Sequence, residues 1–265
     1  MENRLCLCDS ITDAGPNEAG KVVVSGSHGG LYPAWCASRV GVRAVIFNDA
    51  GVGLERAGIG GVMALDAVAT AAAAVDCMSA RIGDAADMLA RGRISHANAQ
   101  AEALGVAAGM PVAEAAALLQ AAAPAKAVLP APTEARTTRR LREGGRPVHL
   151  LDSASMVGPE HAGEIVVTGS HGGLIGGDPA RALKAAARIA VFNDAGLGPD
   201  EIGAARLPAL ESRGIAAVTV AATSARIGEA ASALESGVIS RANAPARALG
   251  ARPGATLQAW LTAVS

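Results

Sequence analysis

Two histidines stand in nearly identical loops of the sequence and are the first candidates for acid–base chemistry. His28 lies within SGSHGG and His171 within TGSHGG, in a chain that holds only five histidines. An imidazole titrates near neutral pH, so it can take up and return a proton under those conditions. A lone histidine is more often structural, but a matched pair beside glycines favours function. We therefore predict that both are catalytic.

Carboxylate and amide side chains recur beyond these loops in the same order. Asn48 and Asp49, within FNDAG, correspond to Asn193 and Asp194 in an identical second segment. A carboxylate beside an imidazole orients the ring and stabilises its charged form, so both aspartates are predicted to assist the histidines in catalysis. Both asparagines are predicted to hydrogen-bond a substrate carbonyl, although Asn-Asp before Ala-Gly is also ordinary turn chemistry.

Arginines, serines and backbone amides complete the predicted substrate site. Arg81 and Arg226 each lie within SARIG, where a guanidinium would either grip a substrate carboxylate or phosphate or form an ion pair that braces the loops. The N–H groups of the Gly-Gly pairs would form a nest for an anion or a developing oxyanion. The other predicted substrate-binding residues belong to the same segments: Ser27, Gly29, Gly30, Ser79, Ser170, Gly172, Gly173 and Ser224.

Other chemistries fit these motifs less well. A Walker A loop needs Lys-Ser/Thr after its last glycine, where this chain has Leu31 or Leu174, and a dinucleotide loop needs GxGxxG. A serine nucleophile lacks the GxSxG elbow. A divalent metal on Asp9, His28 and Asp49 is conceivable, but the spacing is not diagnostic. We predict neither a cofactor nor a metal.

The motifs occur twice because the chain is an internal duplication. Equivalent residues are 143 positions apart up to the second Gly-Gly pair and 145 apart after it, so a two-residue insertion accounts for the offset. We predict a first βα repeat over 1–120, an Ala/Pro-rich and then basic linker over 121–147, and a second βα repeat over 148–265.

The elements that must position these residues are predicted to be strands and helices of an α/β fold. Apolar runs without strict alternation, such as KVVVSGS and RAVIFND, are typical of strands buried on both faces in a parallel sheet. Helical spacing predicts helices over 55–69, 83–92 and 96–104. The fold class is α/β, with two tandem pseudo-symmetric repeats and mainly parallel sheets covered by helices. Loops after parallel strands share one edge, where ligands bind.

Composition restricts the partners. With a net charge of −1 and three scattered lysines, no basic face is available for nucleic acid. No stretch of about 18 residues lacks a charge, so no membrane span is predicted. The amino terminus shows no secretory signal, which indicates a cytoplasmic protein. We also predict a homo-oligomer.

Together these residues predict an enzyme that acts on a small polar anionic metabolite. Hydrolysis of an amide or cyclic imide is slightly favoured, because Gly-Gly N–H donors beside a histidine suit a tetrahedral oxyanion. A lyase or isomerase using the same histidines is one alternative, and a non-catalytic phosphate or nucleotide-binding module is another. A structural reading would make the motifs turns and caps. The sequence leaves open whether there are two equivalent sites or one composite site.

Overall fold

The two sequence repeats fold into two similar α/β lobes in a computed structural model, which describes residues 4–265. Each lobe is built on a mostly parallel sheet, one of five strands and the other of six. The predicted fold class, with mainly parallel sheets covered by helices, is confirmed. None of the helices within residues 4–265 has the length and apolar character needed to cross a membrane.

The sheet of the first lobe has its strands in chain order. They are β1 (Leu5–Cys8), β2 (Val22–His28), β3 (Ala44–Asn48), β4 (Ala71–Val75) and β5 (Ile94–Ala97). The first four are parallel and β5 is antiparallel to β4. The helices are α1 (Leu31–Val40), α2 (Gly60–Ala64), α3 (Ala85–Arg91), α4 (Ala99–Glu102) and α5 (Val112–Leu119). All residues of β2, β3 and β4 are buried, which explains why their sequences do not alternate.

The second lobe repeats this order and adds one strand. Its strands are β6 (Arg136–Arg140), β7 (Pro147–Leu151), β8 (Ile165–His171), β9 (Ile189–Asn193), β10 (Ala216–Val220) and β11 (Ile239–Ala242). β7 to β10 are parallel, whereas β6 and β11 are antiparallel edge strands. The helices are α6 (Arg206–Glu211), α7 (Ala230–Ser236), α8 (Ala244–Ala248) and α9 (Leu257–Val264). Apolar clusters cover both faces of each sheet.

The lobes differ most after the two histidine loops. In the first lobe α1 follows directly, whereas the second has only 3-10 turns at Ile175–Gly177 and Pro179–Arg181. Gly176 and Gly177 both have positive φ there, a conformation that ends helical geometry and that glycine adopts at little cost. The second lobe therefore keeps an irregular wall where the first has a helix.

Two of the predicted helices are corrected by the structure. The segment 55–69 is broken, because α2 is flanked by 3-10 turns at Leu54–Arg56 and Leu65–Val68. The segment 96–104 begins as the edge strand β5, and a helix starts only after Asn98, whose side chain accepts from the Ala101 N–H. Helical spacing was misleading here, because an asparagine cap between two short elements resets the backbone.

The segment between the repeats is anchored to both lobes. Leu129 N–H donates to Ser38 Oγ of the first lobe at 2.9 Å, and β6 then pairs with β7 of the second. Every residue of β6 is exposed, as suits an Arg-rich edge strand that must not recruit another chain. The sequence did not predict this strand, because its polar residues lack the apolar pattern of a core strand.

Candidate functional site

The loops at the carboxyl ends of both sheets meet across one interface between the lobes. A Cβ on Gly51 would lie 2.8 Å from the Cα of its equivalent, Gly196, and both glycines have positive φ. Around them an apolar cluster joins equivalent residues of the two repeats: Ala50 with Ala195, and Ile82 with Ile227. Equivalent residues that touch each other mark the position of a pseudo-two-fold axis. Both histidine loops therefore face the same interface.

Both histidines line one cavity of about 470 Å³ between the lobes, which we call the histidine cavity. Its polar lining includes Ser10, Ser27 and His28 from the first lobe and Ser153, Ser170, His171, Arg181, Lys184 and Arg206 from the second. Both repeats thus contribute to a shared cavity, the geometry that a composite site would need.

His28 is buried and neutral. It is only 9% exposed, and its Nδ1 accepts from the Gly30 N–H at 3.2 Å, which assigns the ring proton to Nε2. Burial lowers the pKa of His28 from about 6.5 to about 4, because an imidazolium loses its hydration in the interior. The ring is therefore unprotonated at neutral pH.

His171 is held neutral by three effects. Burial is the largest, and the charges of Arg206 and of a protonated His28 also lower the pKa of His171 well below its usual value. The Gly173 N–H lies near Nδ1 and offsets part of this, but it does not complete a hydrogen bond, so the buried Nδ1 has no partner among residues 4–265. Because each charged ring disfavours the other, the pair holds at most one proton readily.

Neutral buried histidines make the stability of the protein dependent on pH. Below about pH 6.5 the unfolded chain protonates His28 while the folded chain does not until about pH 4. The free energy of unfolding should therefore fall as the pH drops from about 6.5 to about 4, by about 3 kcal/mol for His28 alone. Above about pH 6.5, His28 should not make the free energy of unfolding depend on pH. Urea unfolding of wild type and His28→Gln at pH 7 and pH 4.5 measures the difference. Equal losses in both proteins would contradict the assignment.

Two serines of the histidine loops present their hydroxyls to the same cavity. Ser27 Oγ accepts from the Ile11 N–H at 3.0 Å, and Ser170 Oγ accepts from the Ala154 N–H at 2.9 Å. Neither hydroxyl donates to another group in the part of the chain that the structure describes. Both protons are therefore available to a ligand in the cavity.

The aspartates lie elsewhere. Asp49 Oδ1 accepts from the N–H groups of Gly51 and Cys77 at 2.9 and 3.0 Å, and Asp194 makes the equivalent contacts in the second lobe. Neither carboxylate lines the histidine cavity. They hold the turns at the lobe interface, and the structure does not bring them together with His28 or His171.

The side chains of the asparagines and of the SARIG serines also form hydrogen bonds with the backbone. The Oδ1 atoms of Asn48 and Asn193 accept from the N–H two residues later, which is the Asx-turn that the sequence allowed as an alternative. Ser79 Oγ donates to Asp76 O and accepts from Arg93 N–H, and Ser224 repeats this pattern. None of the four lines the histidine cavity.

Arg81 and Arg226 brace the lobes through equivalent ion pairs. Arg81 contacts Asp200 at 2.5 Å and Arg226 contacts Glu55 at 3.1 Å, each reaching from one lobe to the other. Each arginine also pairs with an acid of its own lobe, Asp87 or Glu229. Neither lines the histidine cavity. Of the two roles considered for these arginines, the structure shows the ion pair.

The Gly-Gly amides are largely committed to the fold. Gly29 N–H donates to Asn48 O at 2.9 Å and Gly172 N–H donates to Asn193 O at 2.7 Å. A Cβ on Gly29 would lie 2.7 Å from Val62 Cγ2, so close packing explains the glycine. The N–H groups of Gly29, Gly30 and Gly172 are therefore not free to form the predicted nest, whereas the Gly173 N–H completes no hydrogen bond within the described residues.

Arg206 is a functional candidate that the sequence analysis missed. It is only 3% exposed, yet no carboxylate within residues 4–265 lies within 4.0 Å of it. Its Nε donates to Gly173 O at 3.1 Å, and its Nη1 donates to Ala182 O and, at 3.3 Å, to Arg181 O. The equivalent residue of the first repeat is Gly61, so a search for matched residues passes over it. The difference between Arg206 and Gly61 at equivalent positions was the signal in the sequence that could have indicated Arg206.

The charge of Arg206 is left unneutralised in the cavity wall. Burial and the nearby Arg181 lower its pKa to about 10, and Nη2 makes no hydrogen bond to any residue that the structure describes. Arg181 is paired with Asp13 at 2.9 Å, whereas Lys184 donates only to a backbone oxygen, Ser155 O. The cavity therefore combines an excess of positive charge with hydroxyl donors, which suits an anion.

The structure gives little support for a metal in this cavity. Asp9 Oδ1 accepts from the Ala85 N–H, and Asp49 lies at the turn described above, so neither joins His28 in a ligand set. Within residues 4–265, the group with metal-ligand atoms within 4.8 Å of one another is Asp49, Asp76 and Cys77. This group lies outside the histidine cavity.

Comparison with known proteins found no matching family model, no matching curated protein and no matching solved structure. Function must therefore be argued from the cavity itself.

Proposed function

We propose that the histidine cavity is the active site of an enzyme that acts on a small anionic metabolite by proton transfer. The observation that carries this proposal is the buried guanidinium of Arg206, which has no acidic partner in the described chain and lines the same cavity as two neutral histidines. A buried charge without a counterion is costly. A carboxylate or phosphate of the substrate would supply the missing charge.

Arg206 is suited to hold such an anion in one orientation. Three backbone carbonyls fix its Nε and Nη1, so its guanidinium is already ordered before the ligand arrives. Preorganised donors lose little entropy on binding, and a buried charge-assisted hydrogen bond is stronger than an exposed one. Ser27 and Ser170 would donate further hydrogen bonds from the opposite loops.

The histidines would move the proton. A general base must be unprotonated at the working pH, and both rings meet this condition because burial lowers their pKa. An anion bound at Arg206 also offsets one of the charges that oppose protonation of His171. One ring can then accept a proton from the substrate, and the imidazolium that forms, the single protonated ring of the pair, can return the proton.

Two bases from opposite lobes favour an isomerase or lyase. One histidine would remove a proton from the carbon next to the carboxylate, leaving the electron pair delocalised onto that carboxylate beside Arg206. In an isomerase the imidazolium formed in this step would return the proton to a different position of the substrate. In a lyase the electron pair would expel a leaving group instead.

Hydrolysis of an amide or cyclic imide is the second candidate, and the free hydroxyls of Ser27 and Ser170 favour it. In place of the committed Gly-Gly amides, these hydroxyls and Arg206 Nη2 would stabilise a tetrahedral oxyanion. A histidine would deprotonate the attacking water.

A cytoplasmic location, a homo-oligomer and the absence of nucleic-acid partners stay predictions.

Proton NMR in D₂O tests the proposal and separates the two reactions. The protein is incubated with small carboxylates, amino acids, amides and cyclic imides. Catalysed exchange of a carbon-bound proton supports the isomerase or lyase, and cleavage without such exchange supports hydrolysis. Tight anion binding without exchange or cleavage in any compound would contradict an enzyme and favour a binding module.

A further inference from the structure

A second cavity, of about 510 Å³, is also lined by His28. We call it the linker cavity, because residues 132–135 of the segment between the repeats form part of its wall. It shares four lining residues with the histidine cavity: His28, Tyr32, Ser153 and Ser170. The two cavities are therefore neighbouring compartments that share His28 in their walls, whereas His171 lines the histidine cavity alone.

The linker cavity has the opposite charge balance to the histidine cavity. It is lined by four acids, namely Glu55, Glu134, Asp152 and Glu229, and by two arginines, Arg56 and Arg226. Arg226 is shared between Glu55 and Glu229. Asp152 accepts from the N–H groups of Ala135 and Ala230, which keeps its carboxylate fixed. The histidine cavity, in contrast, is lined by three cations and Asp13.

Glu134 lacks a cationic partner and, unlike Asp152, accepts no backbone N–H among residues 4–265. It is half-buried, and no Lys, Arg or His nitrogen among residues 4–265 lies within 4.0 Å of its carboxylate. Burial raises the pKa of Glu134, the Asp152 charge raises it further, and the Tyr32 hydroxyl opposes the shift. Its carboxylate would thus be stabilised by a positively charged ligand.

His28 lines both compartments, so a ligand in either of them could contact it. It is more than nine-tenths buried, its Nδ1 is bonded to Gly30, and its Nε2 has no partner within the described chain. A polar atom left unpaired in a cavity wall is costly unless a ligand or water reaches it. A ligand that occupied both compartments would therefore pass close to His28 Nε2.

We propose that the two cavities form one site for a zwitterion, with its carboxylate against Arg206 and its ammonium group against Glu134. The inference rests on the proposed function and specifies its substrate class as an amino carboxylate. The ligand would carry one charge of each sign, so it would neutralise the unpaired arginine and the unpaired glutamate together. The reacting carbon would then lie beside His28 and Ser170.

Calorimetric titration with three matched series tests this inference. The probes are unbranched amino carboxylates from glycine to 6-aminohexanoate, the alkanoates of the same chain lengths and the corresponding alkylamines. For at least one chain length, the amino carboxylate should bind about tenfold more tightly than the alkanoate, as expected for one partly buried charge-assisted contact. In Glu134→Gln this advantage should disappear while alkanoate affinity stays unchanged.

Glu143→Gln is the matched control, because Glu143 is an exposed glutamate of the same linker segment and does not line either cavity. It should bind every probe as wild type does. If alkanoates bind through Arg206 but the ammonium group adds no affinity at any length, the zwitterion proposal fails and the anion site stands. If no carboxylate binding depends on Arg206, the proposed function fails as well.

Discussion

Arg206→Met is expected to weaken binding of small carboxylates and phosphate to the histidine cavity by about 10²-fold or more. Methionine fills similar space, but it removes the guanidinium that three carbonyls hold in place. A loss of about 3 kcal/mol is typical when one partner of a buried, hydrogen-bonded charge pair is removed. Calorimetry with acetate, succinate and phosphate on both proteins measures the change.

A matched control exists in the same lobe. Arg213 also donates to backbone carbonyls, those of Leu183 and Ala185, but it lies outside the histidine cavity. Arg213→Met should therefore keep wild-type anion affinity. Thermal unfolding adds a second measurement, since an anion that binds the folded state raises the midpoint of wild type and of Arg213→Met. An equal rise in Arg206→Met would overturn the anion site.

Single substitutions His28→Asn and His171→Asn are each expected to lower turnover by about 10²-fold or more. Asparagine keeps some hydrogen bonding but does not exchange a proton near neutral pH. Because both rings line one cavity, either change should remove nearly all activity. His96→Asn is the control, since His96 does not line that cavity and contacts Ser95 instead. Half of the activity left in each single variant would indicate two independent sites.

The pH dependence of kcat/KM follows from the same histidines. A base must be unprotonated, and the pKa of His28 is lowered to about 4, so kcat/KM that depends on His28 as base should be flat near neutral pH. It should fall about tenfold per pH unit below pH 4. A fall that begins near pH 6.5 would contradict a buried neutral base.

The loops that hold the histidines and glycines can be recognised from the sequence, because the repeated segments and the apolar runs beside them are local patterns. The duplication is visible from identical segments, and uninterrupted apolar runs such as those of β2 and β3 predict buried parallel strands. Loops that follow such strands must share an edge of the sheet. The sequence therefore predicts that His28 and His171 lie at the ligand-binding edge of the sheets.

Which partner each polar group binds depends on competition between backbone and side-chain groups in the folded chain. A sequence pattern does not show this competition. Asp49 is predicted from the sequence to assist the histidines in catalysis, yet two backbone amides of the interface turn donate to its carboxylate. Backbone amides outnumber side-chain partners at a tight turn, and a buried amide must be satisfied. The same competition committed the Gly29 and Gly172 amides to strand carbonyls.

The sequence by itself determined the two repeats, the α/β class and the two histidines, because periodic burial and repetition are local properties of the chain. Tertiary structure alone decided that the repeats share one cavity, since this depends on the approach of Gly51 to Gly196 across the interface. It also decided that Arg206, whose equivalent is Gly61, is buried in the wall of this cavity. A buried guanidinium without an acidic partner can be recognised only when every neighbouring group has been placed.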